Sequence, residues 1–251
     1  MQIFVLLKQV PSGKDIEIDP VTHDLVRMGT PANLDPTGYH ALALAKKLKN
    51  DETKVVAVTM GPPPAREILK EAKALGADEV YLVSDRAFGG ADTLATSYTL
   101  AEAIRHIGNP DLVLLGTQSP DGDTGQIAPQ LAEELGFDLV PYVKEFSLEG
   151  DCAHAVTESE GVVRKIEARL PLVVSVGRAT GASEKAPKDL PEIEEIVLTQ
   201  EILQADPERI GKVGSATDVV GVHADTAKMS AKGEILKPTD DVLAELARVL
   251  K

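Results

Sequence analysis

Tryptophan is absent, cysteine occurs once, and aromatic residues make up only 3% of the chain. The single thiol, Cys152, excludes an internal disulfide and a cysteine-rich metal site, and it suits a reducing compartment. With so few aromatics, a bound planar group would draw much of its pocket from backbone, aliphatic side chains or a partner chain. Positive charge is in the minority, and the formal net charge is −14. That balance argues against nucleic-acid or anionic-membrane binding, which rewards basic patches. Long apolar runs are also missing. Gln2–Leu7 is too short for a signal segment or a membrane span and no basic run precedes it, so the expectation is a cytoplasmic protein without membrane insertion.

What is present is a repeated short strand pattern. Gln2–Leu7, Val55–Met60, Val80–Val83 and Asp111–Leu115 are nearly continuous apolar runs, the mark of strands covered on both faces. Between them lie helix-period segments. One spans about 37–49, with Ala41, Leu44, Ala45 and Leu48 on one face. Another runs from Ala65 to Leu75 after Pro62–Pro64 and stops at Gly76. A third starts at a cap on Asp92 or Thr93 and reaches Ile107. This alternation predicts an α/β fold, a doubly wound, mainly parallel sheet. Asp15–Asp19 and Val21–Arg27 read as a half-exposed hairpin. Residues 139–148, 151–158, 162–169 and 172–177 read together as an antiparallel extension of the sheet. From 178 to about 238 the periodicity weakens, and a helix returns at the end, capped by Thr239. The long stretch between is either an arm ordered on another chain or one packed on its own domain.

Doubly wound sheets bind ligands beyond the carboxyl ends of their strands. Here those ends carry Lys8–Pro11, Met60–Pro64, Asp85–Thr93 and, longest, Gly116, Thr117, Gln118, Ser119, Pro120, Asp121, Gly122, Asp123, Thr124, Gly125, Gln126 and Ile127. The last is a glycine-bearing loop between a strand and a helix start, a setting that aims unpaired backbone N–H groups at a phosphate. It lacks both the Walker lysine and the G-x-G-x-x-G spacing, so an ordinary surface loop is the equal alternative. Lys8 is either a phosphate counter-charge or a solvated strand-end lysine. Asp121 and Asp123 fit the shaping of a turn better than a metal site. The five histidines have neither metal-ligand spacing nor a local nucleophile. No hydrolase or transferase site assembles, and catalytic residues are not assigned.

Several segments resemble the beta subunits of electron-transfer flavoproteins in order and spacing. They are Lys8–Pro11, Met60–Pro62, Gly76–Asp78, Gly90–Ser97, Asp121–Gln126 and Leu170–Pro171. The likeness covers about residues 1–177 well and the rest loosely. It implies a heterodimer with an alpha subunit that holds most of one FAD, and an electron carrier that accepts electrons from a dehydrogenase and passes them on. It further implies a nucleotide, FAD or AMP, in the beta subunit itself. The contacts it carries over are Leu6, Asp35, Pro36, Thr37, Gly38, Met60 and Gly116–Ile127. Val10–Arg27 with the Asp92–Ser97 and Asp121–Thr124 segments looks like the electron-bifurcating branch, in which the site holds FAD and NAD(H) is a partner. That branch usually continues Asn-Pro-Asp-Asp-Lys-Asn, where this chain has Asp35–His40. The resemblance also divides the chain into a nucleotide-binding domain, 1–177, and a recognition loop with C-terminal arm, 178–251. A flavin dehydrogenase would dock on the 183–191 loop through Leu190; the usual Asn, Arg and Tyr of that loop are missing, and Glu192, Glu194 and Glu195 replace a basic run. The competing expectation is a stress-type nucleotide-binding signalling module of similar fold, which would be a homodimer.

Overall fold

The computed structural model describes residues 1–11, 32–178 and 187–218, and in addition Val242, Leu243, Ala247 and Arg248, which are helical. The chain divides into two units, Met1–Val220 and Gly221–Lys251. The hairpin expected over 15–27, residues 183–186 and most of the terminal helix lie outside the described residues.

The elements of the first unit are β1 (Gln2–Leu7), β2 (Gln9–Pro11), β3 (Ala32–Leu34), α1 (Pro36–Leu48), β4 (Lys54–Met60), α2 (Arg66–Ala74), β5 (Glu79–Val83), α3 (Thr93–Ile107), β6 (Leu112–Gly116), α4 (Ile127–Leu135), β7 (Asp138–Glu149), β8 (Cys152–Ser159), β9 (Val162–Arg169), β10 (Leu172–Val176), β11 (Ile196–Leu198) and α5 (Gln200–Leu203). Nine strands form one sheet in the order β11-β5-β4-β1-β6-β10-β7-β8-β9, and β2 pairs with β3 separately. Pairing is parallel from β11 through β7 and antiparallel for β7-β8 and β8-β9.

The continuous apolar strands are buried on both sides because alternate side chains feed two cores. Ile3, Val5 and Leu7 pack with α1 and α2, whereas Phe4 and Leu6 pack with α3 and α4. Each Leu or Phe so enclosed is worth about 2–3 kcal/mol relative to exposure. Helix ends follow their local signals. Asp92 caps α3 by accepting from the N–H groups of Leu94 and Ala95, and Gly136 ends α4 at φ +69°. Between α1 and α2 the buried Tyr39 hydroxyl donates to the Glu71 carboxylate; burial raises the pKa of both groups. No helix among the described residues is long and apolar enough to cross a membrane.

One feature departs from the expectation, and one open alternative is decided for the described residues. β10 does not belong to the antiparallel extension: it lies parallel between β6 and β7, with Val173 beside Val113 and Leu139. Its unbroken burial, Leu172 to Val176, is that of a central strand. Residues 187–218 pack on their own unit, the second of the two readings of this stretch. β11 adds to the edge of β5, and Leu198, Leu203, Ala205 and Ile210 complete the core over α3. Asp92 fastens this stretch, its second carboxylate oxygen accepting from Ala216 N, Thr217 N and Thr217 Oγ1 at 2.8–2.9 Å.

Candidate functional site

After β1 the chain moves to β4 and β5 on one side, then crosses back through α3 to β6 on the other. The switch point therefore falls between β1 and β6, where the carboxyl ends of neighbouring strands open a crevice. The turn before α1 is brought there by the Asp35 N–H, which donates to Lys8 O at 2.9 Å. Pro36 opens the helix in the first-turn position where its missing N–H costs nothing. Gly116 ends β6 directly beneath this turn. A Cβ on it would stand 1.9 Å from Thr37 Oγ1 and 3.0 Å from Asp35 Oδ2, so only glycine lets the two segments close.

The loop after β6 is knotted by its own polar groups. Asp123 N donates to Ser119 O at 2.8 Å, and Gln118 Nε2 donates to Asp123 Oδ1 at 2.6 Å. Asp123 and Gly125 take positive φ, +50° and +63°. Lys8 Nζ reaches across from β1 to Ser119 Oγ at 2.9 Å and Asp121 Oδ1 at 2.7 Å. Asp121 and Asp123 are thus engaged with Lys8 and Gln118, and no metal-binding cluster occurs among the described residues. Thr93 Oγ1 donates to Gln126 Oε1 at 2.8 Å, tying the loop to α3. α4 then begins without a side-chain cap and without an acidic residue in its first turn, which leaves its N-terminal end open to an anion.

Beside this loop lies a cavity of about 430 Å³. Its walls include Asp35, Pro36 and Thr37 from the α1 turn, Thr117, Gln118, Pro120 and Asp123 from the loop, and Gly177 and Arg178 after β10. Two buried polar atoms among these have no partner, Asp35 Oδ1 and Thr117 Oγ1. The other Asp35 oxygen accepts from Thr37 Oγ1. Burial pushes the Asp35 carboxyl above the usual aspartate range, against the Thr37 hydrogen bonds and the Lys8 charge, which pull it down. An orphaned buried oxygen costs about 1–3 kcal/mol, and both of these belong to residues that line the one cavity. The described lining residues offer carboxylates, threonine hydroxyls, an amide and basic side chains. A second concavity, about 590 Å³ between α1 and β7–β9, shares only Lys144 with the first.

Of the residues expected from sequence, Asp35, Pro36, Thr37, Thr117, Gln118, Pro120 and Asp123 meet at the cavity. Ser119, Asp121 and Gly122 turn toward Lys8, while Thr124, Gly125, Gln126 and Ile127 lead into α4. Gly116 and Gly38 are spacers; a Cβ on Gly38 would press on Leu34 at 3.0 Å. Leu6 is buried in β1, facing the α3 side, and Met60 ends β4, half-buried. Leu190 is 42% exposed and does not line the cavity. The sequence reading missed Tyr142, Lys144, Glu158, Gly177 and Arg178. Pro141, breaking an otherwise regular strand, is the signal that something happens at Tyr142.

The sequence profile of the electron transfer flavoprotein domain matches residues 22–200. The beta subunit of the electron transfer flavoprotein of Megasphaera elsdenii is 35% identical over 258 residues, covering 96% of this chain and 93% of that protein. The beta subunit from Clostridium acetobutylicum is 37% identical over 265 residues, covering 100% and 98%. The caffeyl-CoA reductase-Etf complex subunit CarD of Acetobacterium woodii is 46% identical over 177 residues, covering 70% and 68%.

Proposed function

The chain belongs to the electron transfer flavoprotein family, as the beta subunit of an electron carrier that works with an alpha subunit, and on that premise we propose that its switch-point crevice seats an adenine nucleotide, FAD or AMP. One observation carries the reading: Asp35 and Thr117, which line the same cavity, each hold a buried oxygen with no partner, Oδ1 and Oγ1. A ribose or base supplies hydroxyl and N–H donors for a carboxylate and a partner for a threonine hydroxyl. The backbone N–H groups of 121–127, at the open end of α4, would hold phosphate, and Lys8 adds a positive charge beside them. Residues 35–38 and 60–62 would flank adenine and ribose.

Of the two nucleotides we favour FAD. The cavity runs on from the loop toward Tyr142 and Arg178, past the residues that resemblance assigns to the adenine end. A flavin bound here supplies one- and two-electron chemistry of its own. The protein's groups bind it, orient it and keep water from its buried edge. With FAD in this site the chain is a subunit of a two-flavin, bifurcating-type carrier with NAD(H) as a partner. A cytoplasmic setting accords with the one free thiol.

For the dehydrogenase, the proposal keeps the segment around Leu190. An exposed leucine on a loop is a suitable anchor for a partner pocket. Arg66 holds the following segment to α2 through two contacts with the Glu195 carboxylate, at 2.9 and 3.0 Å. The relative from Acetobacterium woodii is named for a complex with a CoA-linked reductase, and a flavin dehydrogenase of that kind is the partner proposed here. The test is co-purification of the tagged chain with its cognate alpha subunit. A yellow complex with a second, larger chain supports the proposal, and a colourless homodimer contradicts it.

A further inference from the structure

β7 and β10 run parallel, Val140 beside Val174 and Val143 beside Val176, so Pro141 and Tyr142 together oppose Ser175 alone. This is a bulge, and the extra residue must be accommodated by an unusual backbone. Tyr142 takes it, at φ +56°. The left-handed region is unfavourable for a bulky L side chain, and glycine would occupy it without penalty. The local sequence supports the distortion. Pro141 has no N–H to lose from the ladder, and the Tyr142 N–H donates to Ser175 Oγ at 3.0 Å, a hydroxyl on a residue only 2% exposed.

Core packing does not account for a tyrosine at this place, because its side chain is 41% exposed. Tyr142 instead forms part of the cavity wall, together with Thr117 and Arg178. It is the only aromatic residue lining the cavity among the described residues, in a chain that holds just four tyrosines and four phenylalanines. A strained backbone that exposes a large aromatic side chain beside two unpartnered buried oxygens points to a ligand contact.

We infer that Tyr142 is the stacking residue of the site: the bulge holds its ring in the cavity wall as a platform for a planar ring system, adenine or isoalloxazine. The inference rests on the nucleotide reading above and adds a specificity-determining contact to it. Stacking of a base on an aromatic ring explains how an aromatic-poor chain grips a planar ligand.

The test compares Tyr142→Phe, Tyr142→Leu and Tyr142→Gly in the nucleotide-depleted αβ complex, titrated calorimetrically with AMP and with FAD. Phe and Leu carry the same backbone strain as tyrosine, so they isolate the ring. Gly removes both ring and strain. The expected result is near-native affinity for Tyr142→Phe, a loss of about tenfold for Tyr142→Leu and Tyr142→Gly, and an unchanged or higher melting temperature for the nucleotide-free glycine variant. Loss with both ligands identifies adenine as the stacked ring; loss with FAD alone identifies isoalloxazine. Native affinity in Tyr142→Leu overturns the inference and leaves the nucleotide site intact. A wild-type complex that binds neither ligand at the beta subunit overturns the site itself.

Discussion

Gly116 and Thr37 meet so closely that a side chain on the first would displace the second: a Cβ at 116 falls 1.9 Å from Thr37 Oγ1 and 2.8 Å from Thr37 Cβ. The contact joins the end of β6 to the first turn of α1, the two walls of the crevice. Gly116→Ala is expected to push them apart. The predicted outcome is a loss of about 1–3 kcal/mol of stability, typical of overpacking, with a fall in melting temperature of about 5 °C. Nucleotide should be lost from the beta subunit as well. Scanning calorimetry and nucleotide analysis of the purified αβ complex check both, and full retention of nucleotide would count against the assigned walls.

Asp35 carries a sign that separates binding from folding. Burial raises its carboxyl pKa in the folded chain. The folded state therefore binds the proton more tightly than the unfolded chain. Stability from this group is fully present below the unfolded pKa and is lost as pH rises through the raised folded value. Asp35→Asn, which cannot ionise, should make the nucleotide-free complex more stable near pH 7 and flatten that part of the pH profile. The same change should weaken nucleotide binding. Urea unfolding from pH 4 to 8, paired with a nucleotide titration, reads both effects; a variant less stable than the wild type at pH 7 would contradict the account.

Asp92 has the opposite sign. Burial raises its pKa, but hydrogen bonds from Ala95 and from Thr217 and Ala216 outweigh that and hold it below the usual range. Its stabilisation is present above about pH 4, the unfolded value, and is lost as pH falls toward the lower folded value. Asp92→Ala removes the α3 cap and the anchor of 216–217 together. The expected cost at pH 7 is about 2–3 kcal/mol. Asp92→Asn should keep part of the cap and lose the acid limb of the profile. Denaturant unfolding at pH 7 and pH 3.5 distinguishes the two.

Much of this arrangement was legible in the residues. Ile3–Leu7 and Leu112–Leu115 announce buried strands because both faces are apolar, and Asp92 and Gly136 announce helix ends because their local chemistry is specific. Strand neighbours were not legible. β10 follows two antiparallel strands in sequence yet inserts between β6 and β7, a choice made by the whole sheet and not by Leu172–Val176. β11 is three residues long with Ile196 and Val197 exposed, so it has no periodicity to read. The crevice loops followed from strand ends alone, whereas Tyr142 depends on a bulge whose other half, Ser175, lies more than thirty positions away.

Leu190 tests the partner surface without touching the crevice. Its side chain lines no part of the cavity, so Leu190→Ala should leave bound nucleotide unchanged. Reduction of the complex by the cognate dehydrogenase should slow by about tenfold, the usual scale for truncating an interface anchor. Stopped-flow reduction measures this, and unchanged kinetics would remove the 187–191 segment from the docking surface.

The most direct measurement is the nucleotide content of the wild-type αβ complex. Denaturing it and separating the released FAD and AMP gives the number of each per heterodimer. The account predicts two adenine nucleotides, both FAD in the favoured form, falling to one in Gly116→Ala as the beta crevice empties. A wild-type complex that releases a single FAD and no second nucleotide would contradict it.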